Sequence, residues 1–402
     1  MLLLRKEKTS WFVVFCDYMW TGFLNVKVLD ASVPASRCVK RCEVDRRLGT
    51  ILKEQEMASL PVPSVQAMVA ATGGADVPPR YLRPAEAVAG DSEAQIPIID
   101  YQRLLLELEL DRHGEESARL HGACQDWGFF QLINHSVPDD VVEGMKASIQ
   151  QFFQLPMETK KQFAMERGQL EGYGQLFVFS EDQKLDWADI LYLYTQPHES
   201  RNTKLWPDQP ANFRSMLDRY SGAVKDVSDS LLATMAKNLG LKREAIADKC
   251  IRGVQSVRMN YYPPCAQAEK VVGLSPHSDA SLLTLVLQVN HVQGLQIKRN
   301  NRWLPVKPVP GAFIVNIGDM FEVFTNGRYK SIEHRAVVDP KEERLSVAAF
   351  HLPNIHAIIS PLKEIAAHED NGYKTLDHGS FMKLFYTTKL EGKSFLERLK
   401  LN

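Results

Sequence analysis

Residues 273–288 read GLSPHSDASLLTLVLQ, and residues 344–350 read RLSVAAF. In the first stretch a turn-forming GLSP leads into His277-Ser278-Asp279, and an apolar, β-rich run follows over residues 282–289. In the second, Arg344 and Ser346 alternate with Leu345 and Val347, the period of a strand whose successive side chains face opposite ways. Further β-rich runs surround them at Gln255–Tyr262, 295–298, 312–317 and Arg344–His351, with Gly, Pro and Asn as punctuation. Close-set strands of this kind predict an all-β core, a sandwich or jelly roll, and argue against a parallel α/β sheet.

Upstream the pattern becomes helical. Phe213, Leu217, Tyr220, Val224, Val227, Leu231, Met235 and Leu239 recur every three or four residues, and Gly240 follows. That is one apolar stripe along a helix of about eight turns, placed to support a sheet. Residues 115–127 and 138–153 predict two more helices, the second opening at Pro138, whose missing N–H costs nothing there. Short strands are expected at 96–100 and Phe129–Ile133. The expected fold is therefore a β core buttressed by an α-helical amino-terminal region.

The chain has 402 residues and a formal net charge of -1, so it can bury a large core but sets up no global field toward nucleic acid or anionic lipid. A small basic cluster, Arg37, Lys40, Arg41, Arg46 and Arg47, reads as a solvated face. Six cysteines show neither zinc-site spacing nor a disulfide framework, which fits a reduced, cytoplasmic or nuclear setting. No stretch reaches the ~18 apolar residues that span a bilayer. The run from Trp11 to Cys16 is cut by Asp17 and is short for a signal core. Neither nucleic acid nor membrane is expected as a partner. Five segments emerge: 1–56, a disordered extension or alternative start before Met57; 57–95, a loosely ordered lead-in; 96–250, the amino-terminal region; 251–360, the β core; and 361–402, a carboxy-terminal helical segment.

The chemistry-bearing residues lie around the strands. His277 and Asp279 sit just before one strand, and His334, in Glu333-His334-Arg335, sits just before another. In a jelly roll two such loops can deliver side chains to one point. Two imidazoles and one carboxylate on one face of a metal leave positions open, which suits Fe(II) oxygen chemistry, whereas zinc usually takes a tetrahedral set. Arg344 and Ser346 share a strand face, and an inward arginine needs a carboxylate to meet it. Asn260 and Tyr262 alternate in the same way on another strand. Spacing alone leaves open an exposed strand end for Arg344, and simple packing for Asn260 and Tyr262. Phe177, Phe179 and Phe350 are candidates for a substrate wall, with core packing as the alternative.

Taken in order, MNYYPPC (259–265), GLSPHSDASLLTLVLQ (273–288), GLQI (294–297), FIVNIGDMFEVFTNGRYKSIEHR (313–335) and RLSVAAF (344–350) resemble the plant 2-oxoglutarate and Fe(II)-dependent dioxygenases. IPIIDYQRL (96–104), ACQDWGFFQLINH (123–135) and EGYG (171–174) resemble that family's amino-terminal region. The likeness is to the branch of senescence-related proteins, norcoclaurine synthase-like enzymes and alkaloid demethylases. It implies a double-stranded β-helix of cupin type, with His277, Asp279 and His334 as iron ligands. It further implies that Arg344, Ser346 and Tyr262 hold the far carboxylate of 2-oxoglutarate and that Asn260 lies near its metal end. The implied cosubstrates are 2-oxoglutarate and O₂, with ascorbate as reductant, and the implied products are succinate, CO₂ and a hydroxylated or demethylated small molecule. The substrate is expected among indolic amines such as melatonin, alkaloids, flavonoids or hormones, and the enzyme is expected to be a monomer. An ascorbate-dependent oxidase of the same fold, a non-catalytic small-molecule binder and a zinc hydrolase are the competing readings.

Overall fold

A computed structural model describes residues 59–401 apart from 75, 85–94, 167, 368–369, 371 and 389–391, together with the strands Leu3–Glu7, Ser10–Tyr18 and Leu24–Val28. By contacts the chain divides into Met1–Glu56 and Met57–Asn402. In the first unit the three strands pair antiparallel as a meander. This differs from the expectation of disorder there: Leu24–Val28 alternates apolar with polar residues, and Ser10–Tyr18 carries the apolar run from Trp11 to Cys16. The basic cluster at 37–47, Cys38, Cys42 and the proposed start at Met57 lie outside the described residues.

The second unit is built on two sheets. The strands of these two sheets are β1 (Ile98–Asp100), β2 (Phe129–Ile133), β3 (Gly172–Gly174), β4 (Asp189–Gln196), β5 (Gln255–Tyr262), β6 (Leu274–His277), β7 (Leu283–Gln288), β8 (Leu295–Arg299), β9 (Arg302–Pro305), β10 (Phe313–Ile317), β11 (His334–Ala336) and β12 (Arg344–His351). The major sheet runs β1-β2-β10-β7-β12-β5-β4-β3 and the minor sheet β9-β8-β11-β6. Only the β1–β2 pair is parallel among these. Phe129, Val286 and Ile314 of the major sheet pack with Leu295 and Ile297 of the minor sheet, so the two face each other as a jelly roll.

Alternation decides which side chains enter the space between the sheets. Leu283, Leu285 and Leu287, with Leu345, Val347 and Ala349, and with Val257 and Met259, all join the core on the outer, helical side of the major sheet. Their immediate, even-numbered neighbours therefore face inward, including Arg344, Ser346, Ala348 and Phe350 on β12 and Arg258, Asn260 and Tyr262 on β5. The outer face is covered by α-helices, chiefly Phe213–Asn238, whose buried residues include the whole expected stripe to Met235. Gly240, with φ of 74°, ends it as a left-handed stop. The helix expected at 115–127 is α-helical to Gly122 and continues as a π-turn to Trp127.

The lead-in is more ordered than its Pro- and Gly-rich composition suggests. Val65–Thr72 is a helix whose first turn is held by the Asp189 carboxylate, which accepts from Val65 N (3.1 Å), Gln66 N (2.9 Å) and Ser64 Oγ (2.7 Å). Val65, Val77 and Tyr81 then bury themselves with Trp187. Residues 85–94 of the same segment lie outside the described ones.

Candidate active site

His277 ends β6 and His334 begins β11, and these two residues are direct partners in the minor sheet. Their rings stand 4.2 Å apart, tilted by 52°. Each Nδ1 sits on a backbone carbonyl two residues back: His277 on Ser275 O at 2.8 Å, His334 on Ile332 O at 3.0 Å. Only a ring N–H satisfies a carbonyl, so Nδ1 carries the proton and Nε2 keeps its lone pair. Both Nε2 atoms point at Asp279 Oδ1, from 3.5 and 3.7 Å. The other carboxylate oxygen is occupied, since Oδ2 accepts from Thr284 Oγ1 at 2.6 Å and Asn316 Nδ2 at 2.7 Å. Three lone-pair donors, within 4.8 Å of one another and all buried, converge on one point.

Burial and the like charge of His277 push the His334 pKa down to about 4, which keeps this imidazole neutral at ordinary pH. Burial works to raise the pKa of Asp279, but the facing histidines and the Thr284 hydroxyl outweigh it and hold the carboxyl below its usual range. A neutral His334 imidazole beside an ionised Asp279 carboxylate matches the protonation states a divalent cation requires. The loop itself is clamped: Asp319 N donates to Asp279 O at 2.7 Å, and Ser278 Oγ donates to Asp319 Oδ2 at 2.9 Å.

The second group lies on β12 and β5. Arg344 stands opposite Tyr262, and Ser346 opposite Asn260. Asn260 Nδ2 donates to Ser346 Oγ at 3.3 Å, and the Arg344 guanidinium lies 5.2 Å from the centre of the Tyr262 ring. Arg344 is 2 % exposed and donates through Nη2 to Gln288 Oε1, yet its Nε has no partner, nor does Asn260 Oδ1. Among the described residues no carboxylate pairs with this arginine. A buried cation with an open donor is costly unless an anion completes it, so these residues fit a carboxylate ligand. Two glycines make the room. A β-carbon on Gly294 would lie 2.7 Å from Arg344 Cδ, and one on Gly273 would lie 2.7 Å from Tyr262 Cδ1.

Three findings about the pattern of these residues bear on what they do. A family model described as the 2OG-Fe(II) oxygenase superfamily matches residues 253–353, and one described as the non-haem dioxygenase in morphine synthesis N-terminal matches residues 96–209. The chain is 46% identical over 355 residues to 2-oxoglutarate-dependent dioxygenase 11 of Oryza sativa subsp. japonica, covering 87% of this chain and 99% of that one. The chain belongs to the 2OG-Fe(II) oxygenase superfamily. This dioxygenase is also 45% identical over 347 residues to S-norcoclaurine synthase 1 of Coptis japonica, covering 85% of this chain and 97% of that one. A crystal structure of JOX2 in complex with 2OG, Fe and JA superposes with a TM-score of 0.77 at 32% identity, covering 85% of this chain and 99% of that one. The protein is thus a non-haem enzyme of the plant 2-oxoglutarate-dependent branch, with Fe(II) and 2-oxoglutarate as its cofactors and a small molecule as its substrate.

Of the three phenylalanines expected in a substrate wall, Phe350 is half-buried on the inner face of β12, opposite Thr284. Phe177 lines a cavity of 330 Å³ together with Ile190, Ala188, Arg258 and Ser275. Phe179 is not among the residues lining that cavity and meets the ring of Phe177 edge-on at 6.4 Å. Phe177 also stacks on Tyr386 of the helix His378–Tyr386, at 5.7 Å and 22°, which sets the carboxy-terminal segment against this residue of the cavity wall. Sequence reasoning missed Thr284, Asn316, Gln288 and Arg258. The last is two residues before Asn260, so the same strand period points to it.

Proposed function

We propose that His277, Asp279 and His334 hold the iron, and that Arg344, Ser346 and Tyr262 hold the distal carboxylate of 2-oxoglutarate, with Asn260 near its metal end. The observation that carries this is the pairing of a three-donor convergence with a buried arginine whose Nε lacks a partner. When bound, Fe(II) would supply the redox chemistry by which O₂ oxidises 2-oxoglutarate to succinate and CO₂ with one of its oxygen atoms and the substrate with the other. The protein's part is to orient and to exclude water. Thr284 and Asn316 turn one Asp279 oxygen toward the metal, and the two backbone carbonyls fix the imidazole tautomers. Gln288 steadies one arm of Arg344 and leaves the rest of the fork for the ligand.

Cys124, Cys250 and Cys265 are free, which supports a reduced, cytoplasmic or nuclear setting. Substrates of indolic amine, alkaloid, flavonoid or hormone type, each with an apolar body and polar groups, fit a cavity whose wall mixes Phe177, Leu176 and Ile190 with polar and charged side chains. The test is turnover of 2-oxoglutarate to succinate with Fe(II), ascorbate and such metabolites. Wild type makes succinate, Asp279→Ala makes none, and Arg344→Ala needs a much higher 2-oxoglutarate concentration, roughly 30-fold or more for a lost charge partner of about 2–5 kcal/mol. An Arg344→Ala enzyme with wild-type dependence on 2-oxoglutarate would remove that residue from the clamp.

A further inference from the structure

The strand that ends in His277 lies at an edge of the minor sheet, where backbone groups would otherwise go unpaired. Gly392, far away in the carboxy-terminal segment, takes that edge. It forms a parallel bridge with His277, and its N–H donates to Pro276 O at 2.9 Å. Its φ is 62°, in the left-handed region, and a β-carbon there would lie 2.7 Å from Cδ of Glu333, the residue before His334. The chain thus passes between the two histidine-bearing stretches where a side chain would obstruct it.

The next residue reaches the second stretch. Lys393 Nζ donates to Ser331 O at 2.6 Å and pairs with Glu322 Oε2 at 2.8 Å. The buried Glu322 carboxylate is engaged on both oxygens. Oε2 also accepts from Ser331 N at 2.7 Å, and Oε1 accepts from Tyr373 Oη at 2.8 Å. Glu322 stands on the helix Asp319–Phe324, whose first residue donates its N–H to Asp279 O. Ser331 is next to Ile332, the carbonyl that fixes the His334 tautomer. One ion pair therefore joins three pieces of chain: the segment on the edge of His277, the helix behind Asp279, and the approach to His334. A buried carboxylate held by an ammonium and two hydrogen bonds is costly to leave half-made, so this crossing keeps its geometry.

We propose that Lys393 is a positioning residue for the metal centre: with Gly392 it forms a strap that holds His277 and His334 at the spacing Fe(II) needs. The inference rests on the proposed iron set and extends it to a segment that supplies no ligand. The plainer role for Lys393, neutralising Glu322 for the sake of the fold, makes a different prediction.

The test titrates Fe(II) into metal-free protein under nitrogen and records thermal melting on the same samples. Lys393→Met keeps the length and loses the ammonium; it should bind Fe(II) about tenfold more weakly, the low end for losing an outer partner. Lys393→Arg should recover part of that loss. Because Lys393→Met also leaves Glu322 without its cation, a double variant, Glu322→Gln with Lys393→Met, removes both charges. It should melt above the single variant and still bind Fe(II) weakly. Wild-type Fe(II) affinity in either variant overturns the proposal and leaves Lys393 a role in the fold alone. Coupling is reciprocal, so metal should also steady the strap. In wild type, hydrogen exchange of peptides containing Gly392 and Lys393 should slow on adding Fe(II), and exchange that ignores the metal overturns the proposal without any variant. Wild type that fails to bind Fe(II) sinks the iron set itself, whereas Fe(II) bound equally well with and without Lys393 sinks only the strap.

Discussion

Gly294 lies so close to Arg344 that a β-carbon on it would stand 2.7 Å from Cδ and 3.1 Å from Nε of the arginine. The missing side chain of Gly294 thus leaves the room in which the Arg344 side chain of the proposed clamp lies. Gly294→Ala should displace the guanidinium by overpacking, a strain of about 1–3 kcal/mol, and raise the KM for 2-oxoglutarate on the order of tenfold. Gly222, where an added carbon meets nothing within 4 Å, provides the contrast: Gly222→Ala should leave that KM as it is. Steady-state kinetics with varied 2-oxoglutarate decides it, and equal KM values for the two variants would disconnect Gly294 from the clamp.

In the proposed metal set Asp279 has one oxygen to offer, because the other accepts from Thr284 and Asn316. Removing either donor frees the carboxylate to rotate and alters its basicity. Thr284→Val and Asn316→Ala should each weaken Fe(II) binding about 10- to 100-fold, the usual cost of losing such an outer partner. Titration of metal-free protein with Fe(II) under nitrogen reads this directly. Wild-type affinity in both variants would show that the carboxylate is oriented by the loop backbone alone.

The site was legible in the sequence where chemistry and period coincide. His277-Ser278-Asp279 and Arg344-Leu345-Ser346 carry their meaning within three residues, and Gln255–Tyr262 and Arg344–His351 alternate clearly enough to fix their bounds. The long helix was legible from its stripe and its stopping glycine. What escaped depends on distant partners. The strand Asp189–Gln196 is buried on nearly its whole length and so shows no contrast between faces. The helix Val65–Thr72 sits in Pro- and Gly-rich sequence and is secured by Asp189, 125 positions from Ser64.

That distant cap separates two truncations. Removing residues 1–56 takes away a unit with its own contacts and should leave activity intact. Removing residues 1–84 strips Val65, Val77 and Tyr81 from Trp187 and takes three donors from the Asp189 carboxylate. Each large apolar side chain left uncovered costs about 1.5–3 kcal/mol, so the shorter protein should be insoluble or melt far lower. Expression yield, thermal melting and succinate formation for the two forms test this together. An inactive 57–402 protein would show that the first unit is needed.

His351 gives the fold a pH dependence whose sign follows from its burial. It is fully enclosed at the end of β12, where Gln255 Nε2 donates to its Nε2 at 3.0 Å, and burial pushes its pKa down to about 3. In the unfolded chain a histidine titrates near 6.5. Between these two values the unfolded state binds a proton that the folded state refuses, so stability falls as pH drops below about 6.5, by up to ~1.4 kcal/mol per pH unit. Above that pH both states are neutral and the residue contributes no slope. His334, held down to about 4, adds a slope of the same sign in metal-free protein. Urea denaturation at pH 5 and pH 7 should therefore show wild type losing stability on acidification, and His351→Gln losing distinctly less. If the difference between the two pH values were the same in both proteins, His351 would have to be protonated inside the fold, and the buried acceptor role of its Nε2 would be excluded.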